Sequence, residues 1–130
     1  MTVRATVRVC VCASVLSCTD PRARPVAPFV DLQFATPVSV TSPGTIEGLL
    51  YTFDSDGLQR IRETLHADDV LVIDSTFLLT GDQQLTRNLR FQIPRGLLIG
   101  TRLRIHATVT DFVNFVATDS VVFTVSDTLP

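Results

Sequence analysis

The fold class of this 130-residue chain is decided by residues 102–109, which read RLRIHATV. Apolar side chains occupy the odd positions of this stretch and polar side chains occupy the even ones. Alternation with a period of two is typical of a β-strand that has one buried face and one wet face. We therefore predict a strand whose odd-numbered side chains enter a core, while Arg104 and His106 remain exposed.

The same period of two recurs on both sides of this stretch. It is seen in residues 30–34, 38–41, 89–93 and 118–126, with turn signals such as Ser-Pro-Gly and Thr-Gly-Asp between the runs. About seven short strands separated by turns predict an all-β fold, an antiparallel β-sandwich that forms one domain over residues 29–127.

Two local patterns carry more specific expectations. In residues 49–54 we expect the Tyr51 and Phe53 face to be the apolar one, and the Asp56-Gly57 dipeptide predicts a hairpin turn after it. Residues 58–67 also fit one amphipathic helix, but the turn before them and the strands on both sides favour a strand.

The first 17 residues have the pattern of an export signal. Arg4 and Arg8 form a basic start, and residues 9–17 are an uncharged run of apolar and small side chains. Such a run is typical of a secretory signal and is too short to cross a bilayer. All three cysteines fall within the first 18 residues, and an odd number would leave a spare thiol in an exported protein.

The composition limits the classes of function. Hydrophobic residues make up 45% of the chain and the mean hydropathy is +0.33, which is too apolar for a disordered protein. The net charge of -2 gives no reason to expect a nucleic-acid partner. Residues 19–28 contain three prolines and no apolar periodicity, so we predict a flexible tether over residues 18–28.

The signal ends in Val15-Leu16-Ser17-Cys18, which resembles the lipobox of bacterial lipoproteins. The resemblance implies a signal peptide over residues 1–17, lipidation of Cys18, and a protein anchored in the bacterial cell envelope on the extracytoplasmic side. Cys10 and Cys12 would then leave with the signal peptide. The alternatives are a secretory signal that is cut elsewhere and a buried first strand.

The segment 29–127 resembles a bacterial immunoglobulin-like (cadherin-like) β-sandwich domain. The resemblance is carried by the order of four motifs, at residues 37–43, 56–58, 93–105 and 110–114. The last motif lacks the glycine that the family often has, and its spacing is one residue shorter. The resemblance implies a non-catalytic binding, spacer or adhesion module. The alternative is a glycan- or anionic-polymer-binding accessory module of an envelope complex.

Four arginines on two predicted strands form a candidate anion-binding face. They are Arg60, Arg62, Arg102 and Arg104. The two strands are neighbours in an immunoglobulin-like sheet, and arginine offers planar, bidentate contacts to carboxylates and phosphates. The competing interpretation is that acidic side chains on adjacent strands neutralise these charges. Glu63 has the parity of an inward residue, so we expect it at a sheet end or paired with an arginine.

The loops supply two further candidates. Phe112 and Phe115 precede the last strand, and we expect one or both to cap the core; together on the surface they would instead form an apolar contact patch. Asp54 and Asp56 resemble the start of a calcium loop. Asp111 is the candidate third ligand, because cadherin-like sandwiches bind calcium at their ends through aspartates from separate loops. The competing interpretation is turn chemistry, and the sequence prediction is no metal and no cofactor.

The sequence contains no motif that points to catalysis. It lacks the nucleophile elbow and the glycine-rich phosphate loops, and neither histidine has a cysteine or a second histidine nearby to hold zinc. A small secreted hydrolase, the remaining alternative, would need an acid pair or a Ser-His pair from distant strands. We expect a protein that is not an enzyme. Its expected partners are the membrane, through the lipid, and an envelope protein or polysaccharide.

Overall fold

A computed structural model describes residues 26–35 and 39–129 of the chain. The strands are β1 (Phe29–Phe34), β2 (Ser39–Ser42), β3 (Gly44–Phe53), β4 (Leu58–Ala67), β5 (Val70–Leu78), β6 (Gln84–Ile93), β7 (Arg102–Asp111) and β8 (Val116–Thr128). Within these ranges no helix is long and apolar enough to span a membrane. The expected signal peptide, Cys18 and most of the tether lie outside the described residues.

The eight strands form two sheets. One sheet has three strands in the order β1-β3-β6, and the other has five in the order β2-β8-β7-β4-β5. All pairings are antiparallel except that of β2 with β8, which is parallel. This arrangement confirms the predicted fold class, an immunoglobulin-like β-sandwich.

The core lies between the two sheets and is built from the predicted alternation. The odd-numbered side chains of residues 103–109 are all buried, as are Phe123 and Val125 at the end of β8. Residues 58–67 form the strand β4, as expected, and its inward face is apolar except for the buried Glu63. Burying this apolar surface is the main stabilising contribution to a domain of this size.

The inward face of β3 is the opposite of the one predicted. Leu50 and Thr52 are buried, whereas Phe53 is exposed and Tyr51 is half-buried. The Thr52 hydroxyl donates a hydrogen bond of 2.8 Å to the carbonyl of Phe29 on β1, which satisfies its polar group inside the sandwich. The Tyr51 ring packs edge-on against the Phe29 ring, with 6.0 Å between centroids. Thr52 therefore lies on the inward face with Leu50 and has no unsatisfied hydroxyl there.

The connections also differ in part from the prediction. Asp56-Gly57 does not close a hairpin, because β3 and β4 belong to different sheets and the chain crosses between them here. Gly57 has φ +91°, and a Cβ on it would lie 2.9 Å from the carbonyl oxygen of Gly81, so the crossing requires glycine. The turn at Asp68-Asp69 is a true hairpin, and residues 70–78 form one continuous strand.

Three loops and the first strand meet at one end of the sandwich, which we call the tether end. The loops are residues 54–57, 79–83 and 112–115, and β1 begins beside them because Phe29 pairs with Phe53. Backbone hydrogen bonds join these loops, from Leu58 N to Asp82 O and from Phe112 N to Gly57 O. The opposite, or far, end holds the Asp68-Asp69 turn and residues 94–101.

Candidate functional site

Three aspartates converge at the tether end, and we call them the acidic trio. They are Asp54, Asp56 and Asp111, and one carboxylate oxygen from each lies within 4.8 Å of those of the other two. Asp54 directly follows β3 and Asp111 is the last residue of β7, so the two sheets of the sandwich each hold one carboxylate in place. The sequence prediction placed the same three residues in the calcium alternative.

Asp111 is fully buried, and its two carboxylate oxygens have different surroundings. Oδ1 accepts hydrogen bonds of 2.9 Å from the backbone N–H groups of Val113 and Phe115. Oδ2 is buried and accepts no hydrogen bond from the described residues. A buried carboxylate oxygen without a donor is costly, so this position favours binding of a proton or a cation.

Asp54 is 3% exposed and lies beside Asp111. Burial raises the pKa of the Asp54 carboxyl above its ordinary value of 3.8. The neighbouring carboxylates of Asp111 and Asp56 raise that pKa further, while a hydrogen bond from the backbone N–H of Asp56 opposes them. Negative charge at this position is therefore unfavourable unless a positive charge joins it.

The donor set of the trio consists of carboxylate oxygens, and no histidine or cysteine within the described ranges belongs to it. Oxygen ligands of this kind suit hard cations such as calcium. The turn chemistry expected of Asp54 is also present, since its Oδ2 accepts a hydrogen bond of 2.9 Å from Asp56 N–H. Asp82, an acid at the same end, is not part of the group.

The four arginines of the candidate anion-binding face lie on β4 and β7, which are neighbours as expected. Because the two strands are antiparallel, Arg62 faces Thr108, while Arg104 faces His66 near the far end. The four arginines are therefore spread along the sheet face, with His106 between the levels of Arg62 and Arg104 and with His66 level with Arg104.

Their ion pairs differ as well. Arg62 makes two hydrogen bonds to the Asp74 carboxylate on β5, of 2.9 and 2.8 Å, and this contact lowers the pKa of Asp74. Within the described part of the chain, Arg102 and Arg104 have no carboxylate at ion-pair distance. Arg62 and Arg104 line one shallow depression of about 410 Å³ together with His66 and His106. Part of the basic charge is thus neutralised, as the competing interpretation expected.

Glu63 has the partner that its parity predicted. Its Oε2 accepts a hydrogen bond of 2.7 Å from Arg87 Nε on β6, which joins the two sheets through a buried carboxylate. The guanidinium of Arg87 lies 3.7 Å from the centroid of the Phe77 ring, so an aromatic face covers its other side.

Phe112 and Phe115 are on the surface, so the expectation that they cap the core is wrong. Val113 in the same loop is also exposed, and the loop directly follows Asp111. The ring of Phe112 lies beside Gly81 of a neighbouring loop, where an added Cβ would be 3.6 Å away. The result is an apolar patch at the tether end, next to the acidic trio.

Comparison with known proteins gives likenesses of fold only. No family model and no curated protein matches the chain. A CARDB domain from Pyrococcus furiosus, crystallised in complex with di-metal ions, is 18% identical, with a TM-score of 0.43 over 80% of this chain and 96% of that chain. Its solution structure gives 18% identity and a TM-score of 0.41, over 80% and 98%. A superoxide reductase (neelaredoxin) from Ignicoccus hospitalis is 9% identical, with a TM-score of 0.45 over 88% and 89%.

Sequence reasoning missed two residues that matter at these sites. Asp74 neutralises Arg62, and its position opposite β4 follows only from the pairing of β4 with β5. Val113 belongs to the apolar patch, and the signal for it was present, since it stands between the two phenylalanines. Both omitted residues are neighbours of residues that the sequence did single out, Asp74 across the strand pair and Val113 within the loop.

Proposed function

We propose that this chain is a lipid-anchored immunoglobulin-like module of the bacterial cell envelope, and that it acts by binding and without turnover. The observation that carries the proposal is the start of the sandwich at Phe29, with only ten residues between it and Cys18. A lipid on Cys18 would thus be joined by a short, proline-rich segment to a domain that has its own core. The signal pattern of residues 1–17 supports export.

The test is the intact mass of the protein purified from a bacterial membrane fraction, beside a Cys18→Ser variant. We expect loss of residues 1–17 and added acyl mass in the parent chain, and neither change in the variant. An unmodified full-length chain in the soluble fraction would overturn the lipid anchor. Secretion of an intact domain without lipid would refute the lipid anchor but not the proposal of a binding module.

A second candidate function is the binding of a divalent cation by the acidic trio. The observation that favours it is the buried Asp111 Oδ2, which accepts no hydrogen bond from the described residues and belongs to a carboxylate of the trio. Calcium takes six to eight oxygen ligands in flexible geometry, so three carboxylates completed by water suit it better than magnesium. Bound calcium would offset the charge repulsion between Asp54 and Asp111.

Calorimetric titration of the chain with Ca²⁺ and with Mg²⁺ tests this candidate. We expect Ca²⁺ to bind more tightly than Mg²⁺, and the affinity to fall about tenfold or more in Asp56→Asn, which removes one ligand charge. Asp56 is the residue to change because it is not buried. Asp82→Asn, at the same end but outside the trio, is the matched control and should bind like the parent. Absence of Ca²⁺ binding to the parent chain would refute the site.

A further inference from the structure

Exposed apolar side chains lie directly beside the acidic trio. Phe112, Val113 and Phe115 are 48%, 44% and 40% exposed, and they form one loop after Asp111. The Asp111 carboxylate accepts hydrogen bonds from the backbone of this loop through Oδ1, so the residue that belongs to the trio also holds the loop. Aromatic and aliphatic side chains presented next to a cation site are suited to the boundary between water and lipid.

The N-terminal segment joins the sandwich at this same end. Phe29 pairs with Phe53, the residue before Asp54, and both phenylalanine side chains are exposed. The ten residues between Cys18 and Phe29 span at most about 36 Å when fully extended. A lipid on Cys18 would therefore be joined to the sandwich at the tether end, which is the end nearest to the anchor along the chain.

We infer that the tether end docks on an anionic lipid surface. The cation bound by the acidic trio joins its carboxylates to lipid phosphates, while Phe112, Val113 and Phe115 enter the interface. The inference rests on the proposed cation site. Without a cation the three carboxylates are repelled by an anionic surface, and one bound divalent cation offsets most of their charge and leaves coordination positions for phosphate oxygens. Docking is therefore dependent on calcium.

A tryptophan probe tests the orientation, because the chain has no natural tryptophan. Phe112→Trp is placed in the mature chain, residues 18–130 with Cys18→Ser, so that neither a lipid anchor nor the signal segment contributes, and is mixed with vesicles of phosphatidylcholine with or without phosphatidylglycerol. We expect the emission to shift to the blue only with phosphatidylglycerol and Ca²⁺ together, and to return with EDTA. Leu98→Trp, at an exposed far-end position, is the matched control and should not shift.

A second set of variants measures the loop's contribution in vesicle co-sedimentation. Val113→Ser with Phe115→Ser is expected to lower vesicle affinity about tenfold while its calorimetric Ca²⁺ affinity stays that of the parent. Leu98→Ser with Ile99→Ser should bind vesicles like the parent.

The outcomes separate this inference from the cation site. Ca²⁺ binding without Ca²⁺-dependent vesicle binding overturns the docking and leaves the cation site standing. Absence of Ca²⁺ binding overturns both. Equal blue shifts at positions 112 and 98, or vesicle binding that persists in EDTA, also overturn the docking as stated here.

Discussion

The two carboxylate oxygens of Asp111 have different roles at the tether end. Oδ1 accepts hydrogen bonds from two backbone N–H groups of the loop, at Val113 and Phe115. Oδ2 is buried, and Asp54 lies beside it with a raised pKa. One oxygen is thus structural, and the other is left for a proton or a cation.

Two substitutions at this position separate those roles. In Asp111→Asn the amide oxygen still accepts both loop hydrogen bonds and the like charge beside Asp54 disappears, so without Ca²⁺ the free energy of unfolding should stay within about 1 kcal/mol of the parent. In Asp111→Ala both hydrogen bonds are lost, and unfolding should become about 2 to 4 kcal/mol easier. Urea denaturation in EDTA measures both. Equal losses in the two variants would contradict the division of roles.

The raised pKa of Asp54 makes a prediction about pH. The folded state binds this proton more tightly than the unfolded state, so the free energy of unfolding falls as the pH rises from 3.8 through the folded-state pKa. Asp54→Asn should lack this fall when denaturation is followed against pH in EDTA. Asp74→Asn is the control of opposite sign. The lowered pKa of Asp74 stabilises the folded state above pH 3.8, and this stabilisation is lost as the pH falls. Asp74→Asn should remove this dependence. A fall of unchanged size in Asp54→Asn would refute the assignment.

Strand positions follow from local alternation, whereas pairing and inward faces depend on distant residues. The alternation in residues 102–109 is sufficient to place β7 and its buried face. It is not sufficient for β3, because the acceptor for the Thr52 hydroxyl is a carbonyl on β1. Likewise, Asp-Gly marks a turn in the sequence, but whether the turn closes a hairpin or joins two sheets depends on the distant strands with which β3 and β4 pair.

The pair formed by Glu63 on β4 and Arg87 on β6 joins the two sheets, and it predicts a coupled mutational effect. Arg87→Met leaves the buried Glu63 carboxylate without its partner and should cost about 3 kcal/mol of the free energy of unfolding. Glu63→Leu in the same chain should recover most of that loss, because two apolar side chains replace the ion pair. Urea denaturation of the two single variants and the double variant checks the cycle. A double variant as unstable as the sum of the single ones would argue against the pairing.

At the scale of the whole molecule, the two ends of the sandwich differ in chemistry. The tether end has the acidic trio and the exposed phenylalanines, and the far end has Arg102 and Arg104 beside the Asp68-Asp69 turn. Two members of the trio, Asp54 and Asp56, lie in one turn and can be recognised from the local sequence. Asp111 joins them only through the packing of the three-stranded sheet on the five-stranded sheet, which no local pattern encodes.

This asymmetry predicts where calcium stabilises the protein. A ligand that binds only the folded state raises the free energy of unfolding by about 2.7 kcal/mol at a free concentration one hundred times its Kd, so Ca²⁺ should raise the Tm of the parent chain. The local effect should appear in hydrogen exchange. With Ca²⁺ bound, the two loops beside the cation should open less often, so the backbone amides of residues 54–57 and 112–115 should gain protection from exchange. The Asp68-Asp69 turn and residues 96–100, at the far end, should change little. Asp56→Asn should weaken both effects, since a tenfold loss of affinity lowers the gain at the same Ca²⁺ concentration to about 1.4 kcal/mol. Protection spread evenly over both ends would place the cation elsewhere, since a cation bound by the trio acts first on the loops that supply its ligands.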